Sequence, residues 1–110
     1  GLIGGIGLLY QHGLESHRSE LGYWLGRQWW GRGIMTQVLK VFSEEVFRQR
    51  KLVRLEAHVF EDNIASLRVL EKAGFSREGL LKDAFQKDGR FLNAYLYARI
   101  GPNGQEHLPE

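Results

Sequence analysis

The chain has 110 residues, which are too few for a second hydrophobic core. Of these residues 43% are hydrophobic and 25% charged, the composition of a soluble globular domain. Fifteen basic residues against thirteen acidic ones give a net charge of +2, too balanced to predict direct binding of nucleic acid. Cysteine is absent and the four histidines lack ligand spacing, so we expect no thiolate chemistry and no metal. Because no apolar run reaches the roughly 20 residues that cross a bilayer, we expect a cytoplasmic protein without a membrane partner.

The first half of the chain predicts two strands followed by a helix. Residues 1–10 are apolar and glycine-rich, typical of a buried strand, and a polar loop over residues 11–19 leads to a second strand, Glu20–Leu25. Glycines punctuate residues 26–33, and apolar residues then recur every three or four positions over Ile34–Arg50, which indicates an amphipathic helix. Since the chain starts inside a strand and without Met, we expect natural sequence to be missing upstream.

A third strand and a second helix follow. Leu52–Phe60 alternates apolar and polar residues, and a strand reached through a helix is usually the parallel neighbour of the strand before it. Asp62 or Asn63 would cap a helix over Ile64–Ala73, which Gly74 would end in a left-handed conformation.

The last part of the chain predicts a hairpin. Ser76–Lys87 and Arg90–Ile100 are strand-like runs joined by Asp88-Gly89, a strong turn signal. Residues 101–110 contain both prolines and are expected to fray. The fold class is therefore α/β with a mixed sheet, and residues 1–110 form a single domain.

The glycine segment between the second strand and the first helix is a candidate anion site. Unpaired amides and the positive end of the helix dipole would meet there, with Gly31 and Gly33 permitting close approach of a phosphate and Arg27 and Arg32 adding charge. The spacing fits neither a Walker loop nor a dinucleotide fingerprint. The alternative is that the two glycines only shape a tight turn.

Gln28-x-x-Gly31-x-Gly33 resembles the pyrophosphate-binding motif of the GNAT acetyltransferase superfamily. Residues 63–75, with Arg77-Glu78-Gly79, are similar to the second block of the branch that acetylates ribosomal-protein N-termini. The same branch is matched by residues 22–25 and 96–99, so the resemblance extends over about residues 1–100.

This resemblance implies a GNAT-like mixed twisted sheet with two helices and acetyl-CoA as co-substrate. The family's first strand, helix pair and second strand have no counterpart here, and those helices form one wall of the acceptor cleft. Their absence would uncover apolar surface, so we expect a second copy of the chain to cover it as a homodimer.

The resemblance also implies ten cofactor-binding residues. They are Trp24, Leu25, Arg27, Gln28, Gly31, Arg32, Gly33, Ile34, Asn63 and Ser66. Asn63 would serve both as helix cap and as partner of the pantetheine arm, and a backbone amide within residues 24–26 would polarise the thioester carbonyl. The three tryptophans, Trp24, Trp29 and Trp30, either flank the ligand or pack in the core or at its rim.

Three residues are candidates for proton transfer. Glu20 and His58 occupy positions where family members place a basic carboxylate. The alternatives are that Glu20 is only a strand-end carboxylate near Arg18 and that His58 is a structural histidine. Ser66 matches a serine proposed to protonate the leaving thiolate, or else it helps to cap its helix. Leu70 stands where other branches carry a tyrosine that serves as the general acid, which favours Ser66 or a water in that role. An α-amino group titrates about 2.5 units below lysine, so a weak base suffices for N-terminal amines.

Three function classes are considered, and the first is our prediction. The first is an acetyl-CoA-dependent N-acetyltransferase acting on a primary amine: a protein N-terminus such as that of a ribosomal protein, or a small amine such as a polyamine or antibiotic. The second is a CoA-binding module without catalysis. The third is a nucleic-acid or ribosome-binding domain, against which the missing RNA-binding aromatic pattern and the balanced charge both count.

Overall fold

A five-stranded mixed sheet and two helices make up the residues that the computed structural model describes, 3–10 and 17–102. The elements are β1 (Gly4–Tyr10), β2 (Arg18–Leu25), a 3-10 turn (Arg27–Trp29), α1 (Ile34–Arg50), β3 (Arg54–Phe60), α2 (Ile64–Lys72), β4 (Ser76–Lys87) and β5 (Arg90–Ile100). The strand order is β1-β2-β3-β5-β4, with β2 and β3 parallel and the other neighbours antiparallel. This confirms the mixed α/β class and the parallel crossover.

Some predictions fall outside the described residues, and several boundaries move. The start of the first strand, most of the loop at 11–19 and most of the tail belong to the parts of the chain that are not described. β2 begins at Arg18 rather than Glu20, and β3 at Arg54 rather than Leu52. The first shift arises because polar Arg18 and Ser19 pair with β3, and a polar residue that belongs to a ladder looks like loop in the sequence.

The pairing of β2 with β3 is short. It covers only residues 18–20 of β2 against 54–56 of β3. Beyond that point β2 continues along β1 as far as Leu25, while β3 continues along β5 as far as Phe60. The two parallel strands therefore diverge and leave a gap in the middle of the sheet.

Both helices pack on one face of the sheet, where the core lies. Along β3, Leu55, Ala57 and Val59 are buried, whereas Glu56 and His58 alternate onto the opposite face. The helices contribute the remaining core side chains, chiefly Met35, Leu39, Val46, Phe47, Leu67 and Leu70. Neither helix of the described chain is long and apolar enough to span a membrane.

Helix α2 is capped at both ends. The Asn63 side chain accepts a hydrogen bond from the Ser66 amide at 3.2 Å, which identifies Asn63 rather than Asp62 as the cap. At the other end Gly74 has φ +95° and the Phe75 amide donates to the Leu70 carbonyl at 3.0 Å, the Schellman arrangement. The helix ends at Lys72, one residue before the predicted end.

Strand β5 holds the C-terminal end of α2 against the sheet. The Arg99 guanidinium donates to the Ala73 carbonyl at 3.3 Å, and the buried Tyr97 hydroxyl donates to the Glu71 carboxylate at 2.8 Å. Both β5 residues belong to the motif at 96–99, so in this structure that motif fixes the position of a helix.

The β4–β5 hairpin turns at Asp88 and Gly89, whose φ angles of +53° and +77° are those of the predicted two-residue turn. The predicted strand over Ser76–Lys87 is confirmed, but its pairing with β5 is irregular at two places that the sequence did not predict. One shift lies between Arg77 and Gly79, and the other lies between Leu81 and Phe85, where Asp83 has φ +52° and its amide donates to the Asn93 side chain at 2.9 Å. An aspartate tolerates this conformation without the glycine that would have signalled it.

Gly101 is a sensitive packing position. A Cβ added there would lie 2.4 Å from the ring of Phe47, which is itself buried, and the Gly101 amide is held by the Val53 carbonyl at 2.8 Å. We expect Gly101→Ala to lower the free energy of unfolding by about 1–3 kcal/mol, measured by denaturant titration. Gly7→Ala, where a Cβ meets nothing within 4 Å, is the matched control. Equal stabilities for the two variants would contradict the packing.

Candidate functional site

A cleft of about 500 Å³ lies beside the part of β2 that no longer pairs with β3. The end of β2, the glycine turn (residues 26–33), the first turn of α1 and one face of α2 form its walls. Seven predicted cofactor residues line it: Trp24, Leu25, Gly31, Gly33, Ile34, Asn63 and Ser66. The fold therefore brings two motifs that are 30 residues or so apart in sequence onto one cavity.

Three predicted cofactor residues are not among the residues that line the cleft. Gln28, Arg27 and Arg32 are exposed on the glycine turn beside it. The Arg27 guanidinium lies 5.6 Å from the ring centre of Trp30, and that of Arg32 lies 5.1 Å from the ring centre of Trp29. Cation–π contacts thus hold both arginines at the rim in this structure.

The glycine turn presents an uncapped helix end. Gly31 and Gly33 have φ +76° and +73°, a conformation that favours glycine, and a Cβ at either would meet nothing within 4 Å. Gly33 is the N-cap of α1, and no side chain of the described residues caps it. The amides of the first turn have no acceptor within the helix, and the dipole adds positive potential. This end fits an anion such as a diphosphate.

An indole ties the glycine turn to β2. Trp30 Nε1 donates to the Leu25 carbonyl at 2.7 Å although the Trp30 side chain is exposed. Trp24 is exposed as well, and both tryptophans line the cleft. The sequence left open whether the tryptophans pack in the core. These two do not pack in the core and instead lie at the rim of the cleft.

The inner edge of β2 carries backbone amides that point away from β1. The Gly26 amide donates to the Ile3 carbonyl at 2.7 Å and so faces β1. Because hydrogen-bonding direction alternates along an antiparallel strand, the Trp24 amide also faces β1, whereas those of Leu25 and Tyr23 face the gap. Of the amides within residues 24–26, that of Leu25 points into the cleft.

Glu20 and His58 meet on the sheet face away from the helices. His58 Nδ1 lies 2.9 Å from Glu20 Oε2, and the two side chains are 24% and 18% exposed. Phe85, just past the β4 irregularity, packs edge-on against the imidazole with ring centres 5.7 Å apart. Neither Glu20 nor His58 lines the cleft, and both lie on the opposite face of the sheet. The structure therefore joins two residues that the sequence treated as alternative candidates.

Ser66 has a partner that sequence reasoning missed. Its hydroxyl is hydrogen-bonded to the Tyr23 hydroxyl, and both residues line the cleft. Burial raises the pKa of the Tyr23 phenol, while the bond to Ser66 acts in the opposite direction. Strand alternation could have placed Tyr23 on the same face as Leu21 and Leu25, but it does not show that this face meets Ser66. Leu70 is fully buried and away from the cleft wall.

Two cations on α2 were also missed. Arg68 and Lys72 are exposed, lie four residues apart on one side of the helix, and line the cleft with Ser66. Their spacing of four residues puts them on one side of α2, but nothing in the sequence showed that this side faces the cleft. They add positive charge to the wall that faces the glycine turn.

Comparison with known proteins shows which family the chain resembles. The acetyltransferase (GNAT) domain model matches residues 1–76. A probable N-acetyltransferase of Bacillus subtilis, YjcK, is 35% identical over 105 residues, covering 96% of this chain and 58% of the relative. The [ribosomal protein uS5]-alanine N-acetyltransferase of Escherichia coli is 31% identical over 87 residues, covering 79% and 45%.

A solved structure shows the same fold. RimL, a ribosomal L7/L12 α-N-protein acetyltransferase in complex with coenzyme A, superposes with a TM-score of 0.83 at 28% identity, covering 91% of this chain and 56% of that one. The chain spans about half the length of the curated relatives it matches. With the family model matching over two thirds of its residues, the chain belongs to the GNAT acetyltransferase family.

Proposed function

We propose that this chain is the cofactor-binding part of an N-acetyltransferase that moves an acetyl group from acetyl-CoA to a primary amine. The main observation in support is that no described side chain caps the N-terminus of α1, which lines the cleft. The family assignment and a relative solved with coenzyme A support it. We further propose that residues 1–110 act as one domain.

We propose that the diphosphate binds the amides of the glycine turn and of Ile34, with Arg27 and Arg32 free to leave the indoles for it. The pantetheine arm would lie in the strand gap, pairing with the inner edge of β2 and the Asn63 side chain. When bound, acetyl-CoA supplies an activated acetyl thioester. The Leu25 amide would donate a hydrogen bond to the thioester oxygen, where negative charge develops during attack.

We propose that His58 is the base and Glu20 its positioning residue. With Glu20 accepting the Nδ1 proton, the Nε2 lone pair of His58 is available to take a proton from the amine. The preferred acceptor is a protein N-terminal amine, because its pKa near 8 demands only a weak base. The names of the uS5-alanine enzyme and of RimL favour a ribosomal-protein N-terminus.

A CoA-binding module without catalysis is the second candidate. The sheet face that carries Glu20 and His58 bears exposed apolar side chains, among them Leu81 and Phe85, and no described element covers them. We still predict that a second copy of the chain covers this face. Both candidates should bind CoA, but only the enzyme should release thiol from acetyl-CoA when an alanine-initiated peptide is added.

We predict that Gly33→Ala weakens CoA binding at least tenfold by titration calorimetry, because its side chain would occupy the anion site. Gly89→Ala is the matched control: it imposes the same left-handed strain, of about 1–2 kcal/mol, at φ +77° in the distant hairpin turn. Similar CoA affinity in both variants would count against the anion site.

We predict that Arg68→Gln and Lys72→Gln each weaken CoA binding several-fold at low salt, because each removes one positive charge from the cleft wall. The difference from the parent should shrink as ionic strength rises. Lys40→Gln removes a charge from the exposed side of α1, away from the cleft, and should bind like the parent. A loss that salt leaves unchanged would argue against an electrostatic contribution.

We predict that His58→Ala lowers turnover about 100-fold below pH 8 and much less above it, where the amine loses its proton unaided. Glu20→Gln should give a smaller loss with the same pH trend, since the imidazole remains. Glu45→Gln, on the exposed part of α1, is the control. A pH–rate profile parallel to that of the parent would eliminate both residues from proton transfer.

A further inference from the structure

Two hydroxyls from different parts of the chain meet inside the cleft. Tyr23 reaches across from β2 and Ser66 stands on the first turn of α2, where the Asn63 cap fixes its backbone. Both line the same cavity as the glycine turn. Nothing in the proposed reaction yet uses the phenol.

We propose, on the basis of the proposed function, that Tyr23 and Ser66 form a two-member proton relay to the departing CoA thiolate. Ser66 gives its hydroxyl proton to the sulfur, forming the S–H bond, while Tyr23 gives its phenolic proton to the Ser66 oxygen. The serine ends neutral and the charge rests on the Tyr23 phenolate, which takes a proton from water after the products leave.

The acidities allow the phenol to be the proton source, although they do not drive the transfer. A thiol such as that of cysteine titrates near 8.5 and a phenol near 10, so transfer from the phenol to the thiolate is uphill by about 1.5 units. Burial raises the pKa of Tyr23, which keeps the phenol protonated at neutral pH and also makes it a weaker acid. The relay thus supplies the tyrosine-type acid that Leu70, buried in the core, cannot provide.

The two proton-transfer pairs lie on opposite faces of the sheet. Tyr23 contacts α2 on the helix face, whereas Glu20 and His58 meet on the other face. A thioester lying in the gap would meet the amine from the His58 side and release its sulfur toward Ser66. Base and acid therefore do not compete for one proton.

The first test is binding, which needs no turnover. At pH 9, where the thiol is largely thiolate, Tyr23→Phe should weaken CoA about tenfold by calorimetry and leave desulfo-CoA, which lacks the sulfur, within twofold. Tyr95→Phe, which removes a phenol hydroxyl outside the cleft, should bind both like the parent. Equal CoA affinity for Tyr23→Phe and the parent would overturn the relay.

The second test is a double-mutant cycle on acetyl transfer to an alanine-initiated peptide. Tyr23→Phe and Ser66→Ala should each lower kcat at least tenfold, and the double variant should be no slower than the worse single one. Ser66→Thr should restore most of the rate. If the rate losses of the two single variants multiply in the double variant, the relay is overturned and the proposed function stays intact. A parent chain that binds no CoA would overturn both.

Discussion

The site depends on the early end of the β2–β3 pairing. Three residue pairs join the strands, after which each follows its outer neighbour, so their inner edges keep backbone groups without a sheet partner. Such groups need water or a ligand, and an extended amide-bearing chain such as pantetheine can pair with them. The glycine turn at one end of this gap and α2 along its side then define where the rest of a ligand can bind.

The side chains around the gap are held by contacts remote from it. Arg99 and Tyr97 on β5 fix the C-terminal end of α2, and the Asn63 cap fixes its start, so Ser66 has little freedom relative to Tyr23. On the other side the Trp30 indole ties the glycine turn to β2. Several positions of the family motifs therefore support the site without lining it.

Local signals in the sequence were sufficient for much of the fold. The apolar period of α1 gave its bounds, and Gly74 and the Asp88-Gly89 pair marked turns that the structure has. Contacts between distant segments could not be read in this way. The Tyr23–Ser66 bond, the joining of Glu20 to His58 and the cleft positions of Arg68 and Lys72 require the sheet order and the angle of α2, neither of which local periodicity encodes.

The left-handed residue in β4 separates two parts of the sheet, the surroundings of His58 and the cleft. Asp83 breaks the ladder just before Phe85, the side chain that packs on His58, and it does so on a strand that does not line the cleft. Insertions or substitutions in this outer hairpin would reshape the surroundings of the imidazole while the cleft stays unchanged. In the proposed reaction, changes in this single edge strand would alter the acceptor side and leave the proposed donor site intact.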